Sequence, residues 1–89
     1  MIIREISIRN PHGLQSKSAA LFIQKASSYK ANIWIAKAER KANGKSLLGV
    51  LSLGIGRDSM ISLSTEGEDE AEAATELENY LLSDMGENC

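Results

Sequence analysis

The sequence predicts an α+β fold, an open-faced β-sandwich in the order βαββαβα. In it a four-stranded antiparallel sheet is covered on one face by three helices. Three observations carry that expectation. Apolar residues alternate with period two in several short stretches, and they recur at helical spacing in others. The chain has 89 residues, which leaves room for one core and not two. Residues 1–89 are therefore read as a single domain, ordered over about 2–83, with a tail from 84 to 89 that frays.

The elements follow in order. Ile2, Arg4, Ile6 and Ile8 alternate with Ile3, Glu5 and Ser7, a strand pattern rich in β-branched residues. Asn10-Pro11-His12-Gly13 ends it with turn chemistry. From Ser16, the residues Ala19, Phe22, Ile23 and Ala26 follow i, i+3, i+4, i+7, which makes a helix ending near Ser27–Tyr29. Ile33 and Ile35 flank Trp34 in a second strand. Arg40–Asn43 is a weak third strand, with no strong turn signal at Ala38-Glu39. The stretch from Ser46 to Leu53 suits a short helix with Ser46 as its N-cap. Ile61 and Leu63 alternate with Ser62 and Ser64 in a fourth strand. Glu68-Asp69-Glu70 opens a last helix through Leu82, its first-turn acids suited to the positive end of the dipole and Ala74, Leu77 and Leu81 facing the core.

Composition removes several function classes. Hydrophobic residues at 43% and charged residues at 25% describe a globular chain rather than a disordered one. No apolar run reaches the roughly 18–20 residues that span a bilayer. Arg4 and Glu5 are unlike the start of a secretory signal. Cys89 is the single cysteine, which excludes a disulfide framework and a cysteine-based zinc cluster and leads to the expectation of a reducing cytoplasm. No metal or cofactor is expected.

The net charge of −2 conceals an uneven distribution. All ten Lys and Arg lie in residues 1–57 against only Glu5 and Glu39, a balance of +8, while residues 58–89 hold ten acids and no base. The bases are dispersed rather than clustered, which points to solvated faces of one fold and not to direct nucleic-acid binding.

Chemical suggestions are few. Gly13 precedes the first helix, whose N-terminal amides can face an anion, and Lys17 adds charge in its first turn. Gly54-Ile55-Gly56 lacks the third glycine of a nucleotide-binding loop and reads as a return into the fourth strand. Ser52, behind Ser46, is expected to bond back along its helix.

The run Asn10 to Ala20 resembles the phosphocarrier motif of the HPr family, small histidine-containing proteins of the bacterial sugar phosphotransferase system. Lys45 to Gly54 is similar to that family's regulatory serine region, and Glu66 to Glu70 to the turn into its last helix. The resemblance runs without gaps over residues 2–83. The departures from the family pattern are informative. Gln15 stands where the family carries its phosphoaccepting histidine, Lys17 where it has Arg, and Ser18 where it has Pro. An amide nitrogen whose lone pair is delocalised cannot replace an imidazole as phosphoryl acceptor. Lys17 keeps the charge of Arg but not its planar fork. His12, the single histidine, lies three residues early.

Loss of that histidine with retention of the serine region resembles the Crh-type catabolite repression subgroup. That resemblance implies phosphorylation of Ser46 by HPr kinase/phosphorylase and a corepressor role with a LacI-type repressor, catabolite control protein A, with no catalysis by the chain itself. The partner surface it implies comprises Gln15, Lys17, Ala20, Leu21 and Gln24 of the first helix with Leu47, Leu48 and Leu51 of the second. Val50 and Leu53 are expected in the core. Lys45, beside Ser46, is read either as an aid to a phosphate there or as a solvated side chain. Two alternatives stay open: a phosphocarrier with an atypical site, for instance through His12, and an HPr-fold binding module that has drifted to another partner.

Overall fold

The computed structural model describes residues 1–9, 13, 14 and 16–83. Seven elements follow one another: β1 (Ile2–Ser7), α1 (Ser16–Ser27), β2 (Asn32–Lys37), β3 (Arg40–Asn43), α2 (Leu47–Ser52), β4 (Met60–Glu66) and α3 (Glu70–Leu82). This is the expected βαββαβα order. The tail from 84 to 89, expected to fray, lies outside the described residues.

The sheet runs β1-β4-β2-β3 with every neighbouring pair antiparallel. The last strand to form in the chain is thus inserted between the first two. Ile6 pairs with Ile61, and Ile35 pairs with Leu63 and with Ala42. Period-two alternation sends Ile6, Ile33, Ile35, Ile61 and Leu63 to one face, where all are buried.

The helices close that face. Ala19, Phe22 and Ala26 of α1, Val50 of α2, and Ala73, Ala74, Leu77 and Leu81 of α3 are buried against the strands. Ile23, expected among them, is half-buried and packs at the border of the core. α1 packs against both α2 and α3. Thr65 is a buried polar residue on β4, and its hydroxyl donates to the Glu70 carbonyl at 2.9 Å, so the first turn of α3 is tied to the sheet. The opposite sheet face stays open, with Ile3, Trp34 and Met60 exposed among serines and Lys41 lying 4.9 Å from the Trp34 ring centroid. No helix among the described residues is long and apolar enough to cross a membrane.

Candidate functional site

Two strand-to-helix joints position the helices that carry the candidate residues. Ahead of α1, the Leu14 amide donates to the Ile55 carbonyl at 3.0 Å. Gly13 has a φ of 65°, and a Cβ there would collide with the Ile55 carbonyl oxygen and lie 2.6 Å from the Gly56 Cα. Glycine is therefore required by close approach and not only by its φ. Ser18, at the family's proline position, donates its hydroxyl to the Gly13 carbonyl at 3.1 Å, while the Tyr80 hydroxyl donates to the Ser18 carbonyl at 2.8 Å. The start of α1 is thus held from its own loop and from α3.

Ser46 is the N-cap of α2, as its sequence context predicts. It is extended at φ −108° and ψ 111°, and its Oγ accepts from the Gly49 amide at 3.2 Å. The hydroxyl is exposed and already points along the free amides of the first turn. Ser52 donates to the Gly49 carbonyl at 2.7 Å, the bond back along the helix that was expected.

The apolar residues of α2 divide between two environments. Val50 and Leu53 are buried, whereas Leu47 is 41%, Leu48 80% and Leu51 38% exposed. A six-residue helix has one face against the core, so three leucines on the remaining faces must meet water. Leu51 is as open as Leu47. On α1, Lys17, Ala20 and Gln24 are exposed, and Leu21 is half-buried at the edge of the core. α1 and α2 are in contact. Gln15 and His12 lie outside the described residues.

Lys45 has a backbone partner in the unphosphorylated chain. Its ammonium donates to the Tyr29 carbonyl at 2.7 Å, just past the end of α1. Lys37 donates to the Gly54 carbonyl at 2.6 Å and so places a cation just past the C-terminal end of α2. Asp69 is the N-cap residue of α3 but makes no side-chain cap bond. Instead, its carboxylate accepts from the Lys30 amide at 2.9 Å and the Ala31 amide at 2.8 Å. The Lys30 amide above all, then the Ala31 amide and the charge of Lys45, hold the Asp69 carboxyl below the usual carboxylate range. These three anchors bridge segments far apart in sequence, so no local pattern announces them.

Comparison with known proteins bears on this site. The PTS-HPr family model, described as "PTS HPr component phosphorylation site", matches residues 2–83. The HPr-like protein Crh of Halalkalibacterium halodurans is 44% identical over 73 residues, covering 82% of this chain and 87% of that protein. Phosphocarrier protein HPr of Neisseria meningitidis is 36% identical over 87 residues, covering 98% of both. The crystal structure of HPr-C-His from Thermoanaerobacter tengcongensis superposes with a TM-score of 0.93 at 41% identity, covering 97% of each chain.

Proposed function

The chain belongs to the HPr family of the phosphotransferase system, and from that premise we propose that it is a regulatory member switched at Ser46 rather than a carrier of phosphoryl groups. In this reading HPr kinase/phosphorylase phosphorylates Ser46, and the product binds a LacI-type repressor, catabolite control protein A, as corepressor. The chain is then the substrate of a kinase and the partner of a repressor, working in the cytoplasm without a cofactor.

The observation that carries the reading is the exposed N-cap hydroxyl of Ser46 beside the exposed side chains of Leu47 and Leu48. A phosphate there adds about −1.5 to −2 charges at the positive end of α2, where amides and dipole favour it, so α2 need not rearrange. The neighbouring leucines give a partner apolar anchor area whose engagement the phosphate can gate. Gln15 supports the same reading from the other side, since the residue at the family's phosphohistidine position lacks a nucleophilic nitrogen. Lys17, Ala20, Leu21 and Gln24 extend the surface along α1.

The phosphocarrier alternative makes a separate prediction. Incubation with enzyme I and phosphoenolpyruvate would label the chain, and His12→Ala would abolish the label. The regulatory reading expects no label. It also expects the Ser46-phosphorylated form, but not the unmodified one, to bind the repressor, and Leu48→Ser to weaken that binding at least about tenfold. Repressor binding indifferent to both changes would contradict it.

A further inference from the structure

The sheet face turned away from the helices is covered by nothing in the chain, and the Ser46 reading does not use it. Among the described residues, the large apolar side chains left exposed outside α2 are Met1, Ile3, Trp34, Met60 and Leu82, and all but Leu82 lie on or beside this face. Directly paired residues of antiparallel strands share a face, so the ladder lays the surface out in level rows. One row reads Ile3, Ser64, Trp34, Asn43 across β1, β4, β2 and β3, and the next reads Glu5, Ser62, Ala36, Lys41. A depression of about 320 Å3 opens between Met1, Ile3, Trp34, Lys41 and Ser64. The small serines of β4 thus form a hollow beside the large Trp34 ring of β2. Glu5 is exposed at one edge of the face, and no ion pair among the described residues takes it up. Lys41 is exposed at the other edge, 4.9 Å from the Trp34 ring centroid.

This order of residues makes the face complementary to itself. A two-fold axis along the strands, passing between β4 and β2, lays β1 over β3 of a second copy and β4 over β2, and each row meets its own counterpart. Glu5 then faces Lys41 of the second copy at one edge, and Lys41 faces Glu5 at the other. Each Trp34 rests above Ser64 of the other copy, large against small, as interdigitated sheets about 10 Å apart require. The long lysine stem spans the offset that sheet twist adds toward the edges. A partner of uniform charge satisfies one edge and opposes the other, whereas a second copy satisfies both. We propose that the open sheet face is a self-association surface, on which two copies pack with Glu5 of each against Lys41 of the other and the Trp34 rings at the centre. Four strands about 4.8 Å apart and about six residues long give a face of roughly 400 Å2, against about 800 Å2 per partner in a standard interface. The dimer is therefore weak and reversible, with a Kd on the order of 0.1–1 mM. Ser46 and the leucines of α2 lie on the helical side and stay accessible in it.

The test follows amide and indole chemical shifts of isotope-labelled protein across a dilution series spanning that range. Trp34 is the single tryptophan, so its indole resonance reports on the centre of the face. The indole and the amides of Glu5, Ser62, Ser64 and Lys41 are expected to move with concentration, less so as salt rises, with the α2 amides still. Glu5→Lys and Lys41→Glu, at exposed positions and each checked for an unchanged fold by its amide spectrum, are expected to self-associate about tenfold more weakly or worse. An equimolar mixture of the two variants is expected to regain association, because every edge contact between them again joins opposite charges. A substitution that merely disturbed its own chain would show no such rescue. Shifts independent of concentration, single variants that associate as the parent does, a mixture no better than either variant alone, or shifts centred on Leu47 and Leu48 would each overturn the proposal. None of these outcomes bears on phosphorylation of Ser46.

Discussion

Ala38 and Glu39 join β2 to β3 in a two-residue hairpin closed by the Lys37–Arg40 pair, and Ala38 takes a φ of 55°. An L-residue pays for the left-handed region through its Cβ, by about 1–2 kcal/mol, and glycine does not. Part of that gain is lost to the freer unfolded chain, so Ala38→Gly is expected to stabilise by about 0.5–1 kcal/mol in chemical denaturation. The turn was invisible in the sequence because its residues are the wrong ones for its conformation. Asp69 was hidden for a different reason. Its acid was legible at the start of α3, but its amide partners, Lys30 and Ala31, are 38–39 positions away. Because its folded pKa is lowered from 3.8, its contribution is present above that value and is lost as pH falls through the folded pKa. Acid titration of the melting temperature is expected to show a drop beginning near pH 4, and Asp69→Asn to flatten that part of the curve.

α2 was the element read most fully in advance, because a cap and its helix are local. Ser46 announced itself by position, and the bond to the Gly49 amide is the bond an N-cap makes. Ser46→Ala is expected to cost about 1 kcal/mol, while Ser46→Asp keeps an acceptor at the cap and costs less, as thermal melts of the two would show. Leu48, at 80% exposure, is expected to change stability by under about 0.5 kcal/mol when replaced by Ala. What sequence could not supply was the setting of the helix. Lys45 donates to the Tyr29 carbonyl, and Lys37 reaches across from β2 to Gly54, two residues past the end of α2. A lysine names its charge but not its destination.

At the scale of the molecule, periodicity was enough to find β1, α1, β2, β4 and α3, while β3 was only a weak reading and α2 rested on its cap, and the burial of Phe22, Ile33, Ile35, Leu63, Leu77 and Leu81 follows from that periodicity. Phe22→Ala is expected to cost about 3–5 kcal/mol, against almost nothing at Leu48. The strand order β1-β4-β2-β3 was not legible, since alternation says which residues face the core and not which strand pairs with which. The candidate site has the same division. Ser46 and the leucines around it are placed on one surface of the fold, whereas Gln15 carries its argument by chemistry alone. The central claim is that this surface is a switch. It is tested most directly by the intact mass of the chain after incubation with HPr kinase and ATP, beside Ser46→Ala. The account predicts one added phosphate in the parent and none in the variant. An unmodified parent, with a histidine-bearing HPr phosphorylated in the same reaction, would contradict it.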